Sequence, residues 1–176
     1  MPARVREKGG RPPALTHVDP AGRARMVDVG TKRVTRREAW AGGTVYMKPE
    51  TLERVRANSL KKGDVLGVAK VAGILAAKKT PEWIPLCHPL QLTQIDLFFQ
   101  PADDPARIEI QAQVKACDRT GVEMEALTAV SAAALTIYDM CKAVDRGLII
   151  GPIVLQRKTG GQSGPYTRKK LPVIRP

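Results

Sequence analysis

Residues 107–147, RIEIQAQVKACDRTGVEMEALTAVSAAALTIYDMCKAVDRG, carry two periodicities in succession, and their junction decides the fold. Ile108, Ile110, Ala112 and Val114 alternate with Glu109, Gln111, Gln113 and Lys115, the period of two that marks a half-buried strand. Thr120-Gly-Val-Glu123 then has the spacing of a capping box and opens a long helix over about 121–146. The middle of that helix, ALTAVSAAALTIY, is free of charge, so it is expected to be buried nearly all round. Gly147 ends it.

Upstream, Gln91–Gln100 is a second β-patterned run, and the turn-rich PADDPA (101–106) between the two runs fits an antiparallel hairpin. Before it lies a stiff apolar segment, WIPLCHPL (83–90), braced by Pro81, Pro85 and Pro89. The spacing of Val65, Val68, Ala69, Ala72, Leu75 and Ala76 predicts a helix over Val65–Lys79, capped by Asp64, with Val71 and Ile74 on its other side and Lys78 close to their line. A helix apolar on two sides is covered on both, which points to a subunit interface. Pro49 opens a shorter helix marked by Leu52, Val55 and Leu60, and Ala41–Lys48 is a candidate strand. Downstream, Leu148–Lys158 reads as a last strand, followed by TGGQSG (159–164). The order β–α–α–β–β–α–β fits an α+β fold of the ferredoxin-like plan, an antiparallel sheet with helices packed on one face.

The 176 residues suit one domain, and a 43% hydrophobic content excludes wholesale disorder. The net charge of +12 suggests nucleic acid, an anionic membrane or a phosphorylated ligand. Its placement is more telling than its size. Residues 1–13 contribute +3 and residues 165–176 contribute +4, which leaves +5 for residues 14–164. The division expected is therefore a flexible basic segment over 1–13, a folded domain over 14–164 and a flexible basic tail over 165–176. Aromatic residues amount to 4%, little stacking surface for single strands, and no zinc-finger, RNA-recognition, Walker or GxGxxG pattern occurs. A basic RNA binder working through the two ends is the competing reading; counterion release predicts that its binding falls steeply with salt. Cys87, Cys117 and Cys141 form no CxxC pair and read as reduced thiols of a cytoplasmic protein. The start has no apolar signal segment, and no apolar run approaches the roughly 20 residues that span a bilayer, so a soluble protein is expected.

Asp139 and Lys142, three apart at the end of the charge-free helix, are neighbours on one face, where burial and a paired carboxylate can shift a pKa toward proton transfer. From spacing alone the commoner arrangement is a weak surface ion pair. His88, between rigid prolines, is either held against a ligand or a satisfied core histidine. Cys87 and His88 lack the second ligand pair a metal site needs. Glu123 has a role as the capping-box acid, Glu125 does not, and together they could accept from a guanidine-like edge. Lys61, Lys62 and Gly63 precede a helix start, where an anion is favoured, although an exposed basic turn is the commoner form.

Taken in order, MVDVG, IPLCHPL, TGVEMEALTAVSAAALTIYDMCKAVDRG and IGPIVL with KTGGQSG resemble the cyclic pyranopterin monophosphate synthase family, accessory enzymes of molybdenum cofactor biosynthesis. The resemblance runs from about Leu15 to Gly164. It implies a lyase that converts 3′,8-cyclo-7,8-dihydro-GTP to cyclic pyranopterin monophosphate with release of pyrophosphate. It also implies a homohexamer, a trimer of dimers with active sites between subunits, acting on a small nucleotide-derived substrate without cofactor, metal, nucleic acid or membrane. By the same resemblance, Asp139, Lys142 and Lys62 are the catalytic positions. Leu86, Cys87, His88, Met124 and Glu125 contact substrate, and Glu123, Lys78 and Arg37 complete the polar lining. Clustered lysines depress one another's pKa toward neutrality, which would suit Lys142 and Lys62 as general base and acid. Lys78, on the second apolar side of its helix, fits a site completed across an interface.

Overall fold

The computed structural model describes residues 21–169; residues 1–13 and the tail beyond Lys169 lie outside them. Its elements are β1 (Thr35–Tyr46), α1 (Pro49–Arg56), α2 (Val65–Lys78), α3 (Thr80–Trp83), β2 (Leu92–Asp103), β3 (Ala106–Asp118), α4 (Glu123–Cys141), β4 (Ile149–Ile150), β5 (Val154–Thr159) and β6 (Tyr166–Thr167). The sheet order is β2-β3-β1-β5-β6, with β4 also on β1, and every pairing is antiparallel. The two crossovers, from β1 to β2 and from β3 to β5, each skip one strand that lies between. This is the split βαβ arrangement expected from the element order.

The alternation in β3 sets the layers. Ile108, Ile110, Ala112 and Val114 are fully buried, whereas Glu109 and Gln111 are exposed on the other side. The buried row meets Ala126, Ala129, Val130, Ala133 and Ile137 of α4 in one core. Alanine at so many α4 positions keeps that helix close to the sheet.

Several boundaries differ from the sequence reading, each for a local reason. β1 begins at Thr35, six residues earlier than expected, because the polar stretch TRRE pairs along its whole length with the end of β3. α4 starts at Glu123 after Val122, with no side-chain cap, so Thr120 and Glu123 form no capping box; Glu123 bonds Lys158 instead. The helix also stops at Cys141 rather than near 146, because the chain turns to bring Asp145 under α1. There its buried carboxylate accepts from the Lys48 N–H at 2.9 Å, the Thr51 hydroxyl at 3.3 Å and the Gly147 N–H at 3.0 Å. The expected last strand is broken into β4 and β5 around Gly151-Pro-Ile. The expected basic tail begins with residues that include β6, paired to Arg157 and Lys158 of β5.

α2 keeps its Asp64 cap, the carboxylate accepting from the Gly67 N–H at 2.9 Å, but it is turned about its axis relative to the predicted face. Val65, Ala69, Gly73, Ala76 and Ala77 face inward, while Val68, Val71 and Leu75 are about half exposed. Gly73 explains the rotation. A Cβ there would collide with Leu97 and crowd the Ala129 carbonyl oxygen, so the helix presents its smallest residue where β2 and α4 come closest.

Candidate active site

Each end of α4 carries a cluster. At the C-terminal end, Asp139 Oδ2 lies 2.7 Å from Lys62 Nζ and Asp139 Oδ1 lies 2.7 Å from Lys142 Nζ. Lys62 also donates to the Asp139 carbonyl oxygen at 2.9 Å. The turn between α1 and α2 delivers Lys62, the last turn of α4 delivers Asp139, and Lys142 is the residue that caps its C-terminus. The three sequence-predicted catalytic residues thus form a single open triad with one carboxylate and two ammonium groups.

At Lys142 the electrostatics run opposite to the expected depression of its pKa. The hydrogen bond from Lys142, then that from Lys62, holds the Asp139 carboxyl down at about 2. Its carboxylate in turn raises the Lys142 ammonium above its ordinary value. A shared carboxylate outweighs repulsion between the lysines because it lies between them. In this arrangement the Lys142 ammonium is held in its charged form.

At the other end of α4, Leu86, Cys87 and His88 from the proline-braced segment converge with Glu123, Met124 and Glu125 on a hollow of about 310 Å³. Glu125 is its unusual member. Its side chain is buried, 3% exposed, and Oε2 has no hydrogen-bond partner. Burial, helped by the nearby Glu123 charge, pushes its carboxyl up to about 7. Burial, and secondarily Glu125, also raises the Cys87 thiol, which makes it a poor nucleophile at neutral pH. A buried carboxyl with one oxygen unpartnered accepts from, or donates to, a planar N–H/C=O edge with little competition from water.

A second hollow of about 610 Å³ adjoins the first, sharing Lys32, Thr120, Gly121 and Glu123 as walls. It holds Arg37 and residues 159–163 of the TGGQSG loop. Lys158, which the sequence reading did not single out, enters it and bonds Glu123 Oε1 at 2.7 Å. Its position two residues before the double glycine was the only available signal. Lys78 stands apart from both hollows, near Leu92–Ile95 on the exposed side of α2. No group of three or more His, Cys, Asp or Glu among the described residues is arranged to hold a metal ion, and among them no helix is long and apolar enough to cross a membrane.

Fourteen residues of helix separate Glu125 from Asp139, about 21 Å at the rise of an α-helix. The triad and the hollows of one chain are therefore too far apart to act on the same small molecule from one end of α4.

A sequence model of the MoaC family matches residues 26–161, which include both clusters. The chain belongs to the MoaC family. It is similar to the cyclic pyranopterin monophosphate synthase of Pelotomaculum thermopropionicum, with 61% identity over 88% of this chain and 91% of the relative. The synthase of that name from Brevibacillus brevis is 59% identical over 88% of this chain and 96% of the relative. That of Thermoanaerobacter sp. strain X514 is 57% identical over 88% and 98%. The match to the MoaC model covers the triad, the proline-braced segment and the Lys158 strand, and it ends at Gly161, the second of the two glycines.

Proposed function

We propose that the chain is a lyase of molybdenum cofactor biosynthesis that converts 3′,8-cyclo-7,8-dihydro-GTP to cyclic pyranopterin monophosphate and pyrophosphate. The observation that carries this reading is the Lys62–Asp139–Lys142 triad, because the reaction needs proton transfers and a developing phosphate charge neutralised in one place. The substrate's aminal-containing ring opens, a pyrazine ring closes, and an alcohol oxygen attacks the α-phosphorus as the bond to the β-phosphate breaks. The hydroxyl proton leaves to a base and pyrophosphate departs.

Lys142, held charged by Asp139, fits the proton donor; acting as base would require the ion pair to open first. Lys62 fits the second transfer. The buried Glu125, beside His88 and Met124, fits the purine-derived edge of the substrate, where N–H donors sit next to a carbonyl.

The separation of triad and hollows along α4 supports a homohexamer, a trimer of dimers in which one subunit's triad meets another subunit's hollow. Lys78, on the exposed side of α2, is placed to reach a neighbour in the same way. A cytoplasmic location agrees with the three free cysteines.

Incubation with the cyclised dihydro-GTP while pyrophosphate and the pterin product are followed tests the reading. The wild-type chain is expected to release both together. Lys142→Ala is expected to lower kcat by about 10²–10⁴, the usual worth of a positioned acid or base. Absence of turnover by the wild type overturns the reaction, and full activity in Lys142→Ala overturns the role.

A further inference from the structure

We propose that Asp145, together with Thr51, is the positioning pair that sets Lys62 against Asp139. The inference deepens the lysine chemistry proposed above and rests on it.

The Lys62–Asp139 contact does not hold itself in place. Both side chains are about half exposed, and an ion pair so open to water contributes little. A catalytic group misplaced by about 1 Å, on the other hand, can lower a rate by about 10². The placement therefore has to come from the backbone that carries each group.

Two hydrogen-bonded segments supply it. Asp139 belongs to α4, whose bonding runs on past Cys141. The Lys142 N–H donates to the Tyr138 carbonyl at 2.9 Å, and the Asp145 N–H donates to the Cys141 carbonyl at 3.1 Å. Asp139 and Asp145 are thus fixed relative to each other. Lys48 and Lys62 bracket the second segment. α1 follows Lys48 directly, and N–H groups of Ala57 and Gly63 donate to the Glu53 and Leu60 carbonyls at 2.9 Å each, which carries the same order to the turn that holds Lys62.

The segments are fastened to each other at two points. One is the exposed Lys62–Asp139 pair. The other is Asp145, 2% exposed, against Thr51, 1% exposed. Asp145 Oδ2 accepts from the Lys48 N–H at 2.9 Å and the Thr51 hydroxyl at 3.3 Å, and Oδ1 accepts from the Gly147 N–H at 3.0 Å. The start of α1 has no side-chain cap of its own, so a carboxylate ninety-seven residues further along the chain serves as one. All three donors are neutral, and among the described residues no cationic side chain pairs with Asp145. Burying a carboxylate without a counter-ion is costly. What it provides is acceptor capacity on both oxygens; an asparagine would set its own N–H against one of the donors. The buried fastening is therefore the exacting one, and the exposed pair follows it. Asp145 lines neither hollow, so its loss should fall on kcat rather than on KM.

The test compares Asp145→Asn, Thr51→Val and Thr51→Ser with the wild-type chain. Asp145→Asn should lower kcat by about tenfold or more with KM little changed. Thr51→Val should lower it by about fivefold, the worth of one hydrogen bond, and Thr51→Ser, which keeps the hydroxyl, should retain the wild-type rate. In a Lys62→Ala background Asp145→Asn should lower kcat no further, because the group it places is gone. An equal further loss there, or a loss carried by KM, overturns the positioning role. Peptide-resolved acetylation by acetic anhydride reads the placement without turnover. Lys62 should react about threefold faster in Asp145→Asn and Thr51→Val, as release of an exposed ion pair allows, while Lys79 keeps its wild-type rate. Thr51→Val keeps the test decisive should Asp145 prove necessary for folding. Wild-type kcat together with wild-type labelling of Lys62 in folded Thr51→Val overturns the proposal while the reaction stands. If Lys62 labels faster in the variants but the wild-type chain does not turn over the cyclised dihydro-GTP, the placement stands and the reaction falls.

Discussion

Asp139 accepts from two lysines at 2.7 Å each, and that sharing decides what either lysine can do. With its pKa held at about 2 by Lys142 and Lys62, the carboxylate stays charged across the working range, so it anchors both side chains and keeps the Lys142 ammonium raised above its ordinary value. Asp139→Asn keeps the shape and removes the charge. It is expected to lower turnover by about 10²–10³ and to move the basic limb of the pH–rate profile to lower pH, because the Lys142 ammonium loses the partner that raised it. An unchanged basic limb would separate Asp139 from Lys142 in function. Glu125 gives the opposite case. Its carboxyl is raised from 4.5 to about 7 by burial first and by Glu123 after it, so the folded state prefers it neutral. Its contribution to stability is complete below about pH 4.5 and is lost as pH rises through about 7. The swing is about 3 kcal/mol at 1.36 kcal/mol per unit. Glu125→Gln should abolish that swing, so denaturant midpoints of wild type and variant should diverge between pH 5 and pH 8 with the variant the more stable at the alkaline end. Parallel curves would show that Glu125 ionises without cost.

The helices follow the same logic with packing in place of charge. α2 lies against α4 and β2 at Gly73, where a Cβ would strike Leu97 and approach the Ala129 carbonyl to 2.9 Å. Gly73→Ala would gain about 1 kcal/mol of helix propensity and lose about 1–3 kcal/mol to overpacking. Net destabilisation is therefore expected in chemical denaturation, and an unchanged or raised midpoint would mean that the helices can part without cost. This contact also explains what the sequence could and could not reveal. The period of two in Ile108–Val114 and the charge-free run of α4 depend on neighbours along the chain, and both elements were legible, as was the Asp64 cap. The face of α2 was legible in part: Val65, Ala69 and Ala76 pack inward as expected, but Val68 and Leu75 have the same hydrophobicity as the residues that pack, and only the close approach at Gly73 selects between them. Thr120-Gly-Val-Glu123 had the spacing of a cap, but Lys158, thirty-five residues away, takes Glu123 for its own ion pair. Lys158 and Arg119 escaped notice in the sequence for the same reason. Long-range pairing turns ordinary surface cations into the lining of one hollow, and no local pattern reports that.

At the scale of the whole molecule, two observations need the same partner. α2 leaves Val68, Val71 and Leu75 exposed by 47%, 57% and 52%, and α4 leaves Leu135 exposed by 57%, an apolar surface of the kind that marks association. The triad and the Glu125 hollow stand at opposite ends of α4, about 21 Å apart along the helix. A second copy of the chain accounts for both, if the triad of one subunit closes the hollow of the next. Two inactive variants can then rescue each other. Lys142→Ala damages only the triad and Glu125→Ala only the hollow, so a mixed pair of subunits would own one site with both halves intact and one with both damaged. Random mixing makes half the pairs mixed, and the combined preparation should recover about a quarter of wild-type turnover, given two equivalent sites per two-fold pair. The variants are mixed under denaturing conditions, refolded together and assayed for pyrophosphate release, with each refolded alone as the baseline. If both halves of a site came from one chain, every site in the mixture would still carry one of the two substitutions, and turnover would stay at that baseline. Leu75→Glu links the rescue to the apolar surface. A charge on this exposed position should leave the fold of the subunit intact while lowering the mass seen in light scattering and abolishing complementation. Retention of both would place the interface elsewhere on the molecule.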